Sequence, residues 1–182
     1  MVENIEDLFF EFLRVANDIK PKVIVAENVA GLTIGEAKEY YNKILNEFEK
    51  IGYDVCSQVM NSKNYGVSQT RTRVIFIGIR NDITEKVGLN FMTIQNVFPE
   101  PSDKVIPLKE ALEGLEYDPE EIKELTEKFV NTAYWKDTGS KMPKDPDKVL
   151  TGGDYPPKGH HFNLKRVSQH APAPTLTAMG NG

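Results

Sequence analysis

The chain has 182 residues, of which 40% are hydrophobic and 27% charged, and its net charge of −5 argues against a general nucleic-acid-binding protein. No apolar run approaches the roughly 20 residues that a membrane helix needs, and the start of the chain lacks the features of a signal peptide. The single cysteine, Cys56, excludes an internal disulfide and a multi-cysteine zinc site, and it fits a reducing cytoplasm.

The first 80 residues alternate between helical and extended patterns, which is typical of an α/β domain. Apolar residues at helical spacing predict helices over residues 3–20 and 35–50. The unbroken apolar run at residues 22–27 predicts a strand that is buried on both faces of a parallel sheet. Two further strands are predicted at residues 53–60 and 73–80, with a polar loop between them.

Beyond residue 80 the pattern changes to short helices and then to a loop-rich region. Helices are predicted over residues 107–115 and 118–130, and Asp118 has the residue type and position of an N-cap. Residues 131–174 are rich in Gly, Pro, Lys and Asp, which predicts a small loop-rich α+β domain. A short strand is expected at residues 176–179.

Charge is distributed unevenly over this second half. Residues 81–133 hold 5 Lys or Arg against 12 Asp or Glu, whereas residues 134–170 hold 7 against 4. A locally basic segment can contact phosphate even in an acidic chain. A solvated loop region is the alternative, and charge alone favours it.

Glu27 and Asn28 end the first predicted strand, at the place where ligands bind in open parallel sheets. Partial burial there would favour the protonated form of Glu27, which could then donate a proton to a ring nitrogen. A helix N-cap, or a salt bridge to Arg71 or Arg73, would give the carboxylate a purely structural role. The residues alone leave both interpretations open.

Gln69, Arg71 and Arg73 lead into the last predicted strand at alternate positions. If the alternation holds through the loop, the three side chains share one face and offer planar donors to a phosphate or a carbonyl oxygen. A pair of surface arginines is the alternative interpretation.

The cysteine and the histidines give weaker signals. Cys56 lies inside a predicted strand without a group that would activate it, so we expect a structural role. His160, His161 and His170 lie in a Gly/Pro-rich region and fit no metal-binding pattern, so no metal site is predicted.

Four segments, in chain order, resemble motifs of the C5-cytosine-specific DNA methyltransferase family. LFFEFLRV resembles the helix that precedes the sixth motif, and KVIVAENVAG resembles that motif itself. NYGVSQTRTRVIFIGIR resembles the eighth motif, and KRV with APAPTLTAMGNG resembles the end of the target recognition region. These segments occupy residues 8–15, 22–31, 64–80 and 165–182.

The resemblance implies a fold and an activity. The fold would be a partial S-adenosylmethionine-dependent methyltransferase (Rossmann-like) sheet with helices. Residues 1–82 would be the C-terminal half of the catalytic domain and residues 83–182 an incomplete target recognition region. The activity would be methyl transfer from S-adenosylmethionine to C5 of a cytosine that is flipped out of double-stranded DNA.

The resemblance also implies roles for particular residues. Glu27 would protonate the ring at N3, Asn28 would brace the catalytic loop, and Arg73 would contact the cytosine carbonyl. The remaining family positions are contacts that organise the pocket or bind DNA: Arg71, Gln69, Arg166, Thr175 and Leu176.

Three parts of the family pattern are absent from this sequence. They are the Phe-x-Gly-x-Gly cofactor turn, the Pro-Cys nucleophile, and the ninth and tenth motifs. We therefore expect a central fragment or a split subunit that is inactive alone. The open edge of its first strand would pair with an N-terminal subunit or with a second copy. A non-catalytic DNA-binding or assembly module, and an RNA substrate, are the alternatives.

Overall fold

The computed structural model describes residues 5–155 and 164–175 of the chain. The described residues fall into two compact units, each with its own set of internal contacts. The units comprise residues 5–61 with 72–101, and residues 62–71 with the described part of 102–175. Residues 81–101 belong to the first unit, because the segment that follows its last strand packs against its sheet.

Helices and strands alternate through the first unit, and shorter elements follow. In chain order they are α1 (Ile5–Ile19), β1 (Val23–Val29), α2 (Ala37–Lys50), β2 (Tyr53–Asn61), β3 (Gln69–Thr70), β4 (Thr72–Arg80), α3 (Asn81–Val87), α4 (Leu108–Leu112), α5 (Pro119–Val130), α6 (Ala133–Asp137), β5 (Leu150–Thr151), β6 (Lys165–Arg166) and β7 (Ala173–Pro174). The predicted helices and strands of the first 80 residues are confirmed, and so is α5. Sequence patterns missed α3 and α6, and the strand expected at residues 176–179 lies outside the described residues.

In the described part of the first unit, the sheet has the strand order β1-β4-β2. Both pairings are antiparallel, so the prediction of a parallel sheet was wrong. β4 runs back along β2 as the second strand of a hairpin, and β1 adds to the other edge of β4 in the opposite direction. The position of Glu27 relative to Arg73 therefore follows from the antiparallel register of β1 and β4. In this register Glu27 pairs with Ile75, and Val29 pairs with Arg73.

Strand β1 is buried on one face only, which corrects the prediction of burial on both faces. Ile24 is 3% exposed, whereas Val23, Val25 and Val29 are 49%, 62% and 56% exposed. Helices α1 and α2 cover the Ile24 face of the sheet, and among the described residues β1 pairs with β4 alone. The apolar run of β1 therefore leaves a row of exposed valines on the opposite face.

The main core fills the space between the sheet and helices α1 and α2. Aromatic rings make up its centre, with Phe48 stacked on Phe76 at a centroid distance of 6.4 Å and Phe9 edge-on to Phe76 at 5.6 Å. Gly78 of β4 lies directly under this cluster, and a Cβ atom at Gly78 would lie 2.6 Å from Cε1 of Phe48. Helix α2 therefore packs closely on β4 because Gly78 has no side chain.

A smaller cluster covers part of the other face of the sheet. Ile94 and Phe98, in and after a 3₁₀ turn at Ile94–Val97, pack against buried Cys56 of β2. This packing assigns residues 81–101 to the first unit.

The second unit is built from short elements. As predicted, Asp118 caps α5 by accepting a hydrogen bond from the backbone N of Glu120, and Pro119 occupies the first helical position. Two-stranded pairings join β3 to β7 and β5 to β6.

No helix in the described part of the chain is long and apolar enough to cross a membrane. Within the same residues, no group of three or more His, Cys, Asp or Glu side chains could hold a metal ion.

Candidate functional site

The acid at the end of β1 and an arginine at the start of β4 form an ion pair on the valine-bearing face of the sheet. Arg73 Nε lies 2.5 Å from Glu27 Oε1, and Arg73 Nη1 donates to the carbonyl oxygen of Thr72 at 2.8 Å. The Glu27 side chain is 50% exposed and the Arg73 side chain 22% exposed. Glu27 is therefore more exposed than its position at the end of a predicted buried strand suggested. Its ion pair with Arg73 is the salt bridge that would give the carboxylate a purely structural role.

Asn28 lies on the opposite face of β1, because successive residues of a strand alternate. Its Oδ1 accepts a hydrogen bond from the backbone N of Val29 at 2.8 Å. The acid and the amide therefore serve different faces of one sheet.

The loop between β2 and β4 is closed by one residue, Ser62. Its backbone N donates to the carbonyl oxygen of Arg71 at 3.0 Å, and its Oγ donates to that of Gln69 at 2.5 Å. Gly66, with φ +78°, turns the chain in between. Ser62 thereby fixes the backbone that carries the Gln-Thr-Arg sequence.

The alternation expected from Gln69 through Arg71 to Arg73 is interrupted in the structure. Gln69 belongs to β3, which pairs with β7 in the second unit, whereas Arg73 belongs to β4 of the first unit. Arg71 lies between these two strands. The spacing argument for one shared face therefore does not apply, because it requires a continuous strand.

On its other side, the same loop backbone is bound by the end of the described chain. The backbone N of Ala173 donates to the carbonyl oxygen of Ser68 at 3.0 Å, and Thr175 Oγ1 donates to that of Thr70 at 2.7 Å. A hydroxyl has one proton, so Thr175 cannot donate to a phosphate while this bond exists. Leu176, the next predicted site residue, lies outside the described residues.

Arg166 of β6 packs on an aromatic ring. Its guanidinium carbon lies 5.2 Å from the ring centroid of Trp135, and its Nη2 donates to the carbonyl oxygen of Gly139 at 2.8 Å. One of its five N–H donors is used in that bond. Arg166 therefore links β6 to the end of α6 and also lines a groove of the second unit.

Cys56 has the surroundings of a structural residue. Its Sγ lies 3.5 Å from the carbonyl oxygen of Ile94, and burial raises the pKa of the thiol from its ordinary value of 9.0 to about 11. A thiol with this pKa is almost entirely protonated near neutral pH and is a poor nucleophile.

Sequence reasoning missed two residues that organise this region, Ser62 and Trp135. A serine directly after a strand is a recognised turn residue, and that signal could have indicated Ser62. No local pattern indicates the stacking of Trp135 with Arg166, because the two residues are distant in sequence.

Comparison with known proteins adds family relationships to this geometry. The family model described as C-5 cytosine-specific DNA methylase matches residues 1–171. The Type II methyltransferase M.NgoFVII of Neisseria gonorrhoeae is 30% identical over 97% of this chain and 47% of its own length. M.Eco47II of Escherichia coli is 31% identical over 93% and 42%, and M.FnuDI of Fusobacterium nucleatum is 42% identical over 42% and 22%. The chain spans less than half the length of each of these relatives.

Proposed function

Because the chain belongs to the C-5 cytosine-specific DNA methylase family, we propose that it supplies the base-binding acid and arginine of a DNA cytosine-5 methyltransferase. The observation that carries the proposal is the contact between Glu27 and Arg73. Glu27 belongs to the segment that resembles the sixth motif, and Arg73 to the segment that resembles the eighth. Two residues distant in sequence thus meet on one face of the sheet, where one cytosine ring could contact both.

In this proposal the two side chains bind different edges of the flipped base. Glu27 donates a proton to the ring nitrogen N3, and the guanidinium of Arg73 donates to the neighbouring carbonyl oxygen. The ring cannot lie between Arg73 Nε and Glu27 Oε1, because these atoms are 2.5 Å apart. Binding of the base therefore requires the two side chains to separate, and the base replaces the contact that they lose.

The other motif residues have supporting roles in the proposal. Asn28 braces the chain after β1 from the face opposite Glu27, and Gln69 and Arg71 organise the loop that Ser62 closes. The outer contacts with double-stranded DNA are assigned to Arg166, Thr175 and Leu176. Contact of Thr175 with phosphate requires its hydroxyl to leave the carbonyl oxygen of Thr70.

The nucleophile of the reaction is not assigned to this chain. Cys56 is the single cysteine of the sequence, and it is buried with a raised pKa. Attack on C6 of the cytosine requires a thiolate, so we assign this step to a Pro-Cys segment outside these 182 residues. The 182-residue chain alone is then inactive.

S-adenosylmethionine supplies the methyl group in the proposed reaction, and the described residues do not fit a site for it. The sequence lacks the glycine turn through which the family binds the cofactor. The space between the sheet and helices α1 and α2 is filled by the rings of Phe9, Phe48 and Phe76. Binding of the cofactor is therefore assigned to residues outside this segment.

One edge of β1 has no strand partner among the described residues, and this edge with the open face of β1 is the proposed docking place for the part of the enzyme that carries the nucleophile. A strand that pairs with residues 23–26 would satisfy the backbone groups of the edge, and its layer would cover Val23 and Val25. Pairing of two copies of this chain along the same edge is the alternative, and size measurements separate the two arrangements. We place the activity in the cytoplasm.

The test is reconstitution. The chain is mixed with a polypeptide that carries the glycine-rich and Pro-Cys motifs of the family, and transfer of a labelled methyl group to duplex DNA is measured. Glu27→Gln should lower the rate by about 100-fold or more, the usual range for loss of general acid–base catalysis. Glu36→Gln, an exposed glutamate of the same unit, is the matched control and should leave the rate unchanged.

Full activity of the Glu27→Gln protein would contradict the role proposed for Glu27. Methyl transfer by the 182-residue chain without a partner would contradict the assignment of the nucleophile. Duplex binding without transfer in any mixture would favour the non-catalytic DNA-binding module. Preferential methylation of a matched RNA hairpin would identify RNA as the substrate.

A further inference from the structure

We infer that a groove in the second unit binds the phosphate backbone of double-stranded DNA through Lys109, Lys144 and Lys165. The inference rests on the proposed function, because that function makes duplex DNA the partner of this unit. It adds three phosphate contacts to the DNA-binding residues already proposed.

The groove lies between α4, α6 and the segment that contains β6. Its volume is about 1150 Å³, above the roughly 300–1,000 Å³ that is usual for a small-molecule pocket. Trp135, Met142 and Leu164 contribute apolar lining. A groove of this volume has room for a segment of an extended ligand.

The charge of the side chains that line the groove favours an anionic ligand. Four cationic side chains, those of the three lysines and Arg166, line the groove against two acids, Glu110 and Glu113. Glu110 is paired with Lys104, whose Nζ lies 2.6 Å from Glu110 Oε1. The excess of positive charge favours a polyanion, and lysines provide sequence-independent contacts with phosphate.

A second cavity of the same unit has the opposite charge. It is formed by α5, has a volume of about 420 Å³, and is lined by five acids and one lysine: Asp118, Glu120, Glu121, Lys123, Glu124 and Glu127. This acidic face repels phosphate. We therefore expect the DNA to contact the groove and not the acidic side chains of α5.

Backbone hydrogen bonds hold the lysine-bearing segments in place. The backbone N atoms of Leu108 and Lys109 donate to the carbonyl oxygens of Ala171 and Gln169, each at 3.0 Å. In β6, Lys165 is exposed and the adjacent Arg166 is half-buried against Trp135. The side chains of Lys109 and Lys165 thus reach solvent from backbone that is held by hydrogen bonds, which suits contacts that place DNA in one orientation.

The experiment measures binding of a labelled duplex to the full 182-residue chain by fluorescence anisotropy over a series of NaCl concentrations. The test variant carries Lys109→Gln, Lys144→Gln and Lys165→Gln together. The control variant carries Lys38→Gln, Lys43→Gln and Lys123→Gln, which changes the net charge by the same amount. Circular dichroism of both variants verifies that they fold.

The test variant should bind more weakly, and its slope of log K against log[NaCl] should be less steep by about 1 for each lysine removed. The control variant should keep the slope of the unaltered chain. Equal slopes for the two triple variants would overturn the inference. Absence of duplex binding by the unaltered chain, or tighter binding of an acidic polypeptide than of DNA, would also overturn it.

Failure of this inference and failure of the proposed function give different results. Glu27→Gln should keep the salt slope of the unaltered chain, because Glu27 acts on the base and not on phosphate. If the three lysine substitutions leave the salt slope unchanged while Glu27→Gln abolishes methyl transfer, DNA binding by the groove is contradicted and the proposed function remains. If the lysine substitutions lower the salt slope while the Glu27→Gln protein keeps full methyl transfer, DNA binding by the groove is supported and the proposed role of Glu27 is contradicted.

Discussion

Glu27 and Arg73 contact each other diagonally across two antiparallel strands. Glu27 lies opposite Ile75, and Arg73 lies opposite Val29. The side chains of Glu27 and Arg73 therefore lie on the same face, and Arg73 is two residues along β4 from the position opposite Glu27. The 2.5 Å contact links the two segments that resemble the sixth and eighth motifs, which the chain separates by a helix, a strand and a loop. The pair is partly open to solvent, which predicts a small effect on stability and a large one on function.

The first prediction concerns Arg73→Ala. The Glu27 carboxylate is half exposed, so the ion pair should contribute only about 0–1 kcal/mol, and the free energy of unfolding should fall by about 1 kcal/mol. Methyl transfer in the reconstituted mixture should fall at least tenfold, because a donor to the base is lost. Urea denaturation and the transfer assay measure the two quantities.

Lys43→Ala is the matched control, because Lys43 forms an exposed ion pair with Glu39 in the same unit. It should change neither quantity appreciably. Loss of folding in the Arg73→Ala protein, or transfer at the unaltered rate, would show that Arg73 has a structural role only.

The second prediction concerns the close packing of α2 on β4. A Cβ atom at Gly78 would lie 2.6 Å from Cε1 of Phe48, whose ring is fully buried and stacked on Phe76. Gly78→Ala should therefore lower the free energy of unfolding by about 1–3 kcal/mol, the usual cost of overpacking a core. Gly31→Ala, where nothing lies within 4 Å of the added Cβ, should change it much less.

Chemical denaturation of the two alanine variants measures both values under one set of conditions. Equal stabilities for the two variants would mean that Phe48 can move aside, and that the core is less tightly packed at this point than the distances indicate.

The third prediction uses the raised pKa of Cys56. The pKa is about 11 in the folded chain, against an ordinary value of 9.0. Between these values the unfolded chain loses the thiol proton while the folded chain keeps it, so the stability from the buried thiol is lost as pH rises from about 9 to 11. The difference in unfolding free energy between the unaltered chain and Cys56→Ala should shrink over this range.

Thiol labelling at pH 8 provides an independent measurement. The folded chain should react much more slowly than the chain in denaturant, because its thiol is buried and protonated. Rapid labelling of the folded chain would contradict a purely structural Cys56.

The fourth prediction concerns the hydrogen bond from Thr175 Oγ1 to the carbonyl oxygen of Thr70. Thr175→Val removes this bond, which contributes about 0.5–1.5 kcal/mol, and should speed exchange of the adjacent Ala173 amide by up to about tenfold. Hydrogen exchange followed by mass spectrometry measures the effect. Thr33→Val, which removes a similar hydroxyl-to-carbonyl bond in the first unit, should leave the Ala173 amide unaffected.

Local sequence signals predicted much of the first unit. Apolar spacing identified α1 and α2, and Asp118 correctly marked the start of α5. The same signals could not give the direction of β1, because the side chains of a strand alternate in the same way in parallel and antiparallel sheets. The parallel prediction failed for this reason, and the prediction of two buried faces failed with it.

The contacts of the candidate site depended on information that local patterns lack. The sequence indicated a salt bridge of Glu27 with Arg71 or Arg73 without choosing between them, because the choice follows from strand register. It also could not show whether the alternation of Gln69, Arg71 and Arg73 continues through the loop that precedes β4. The hydrogen bonds of Ser62 and of residues 173–175 to that loop explain why β3 instead pairs with β7.

The placement of Glu27 and Asn28 on opposite faces of β1 limits how the length of this strand can vary. A deletion of one residue between Val23 and Ala26 would shift the register by one and exchange the two faces. The amide would then meet Arg73, and the carboxylate would point toward the helices. We therefore expect that only insertions or deletions of an even number of residues in this strand keep Glu27 on the face of Arg73. Changes in chain length after β4 do not alter the face on which Glu27 lies.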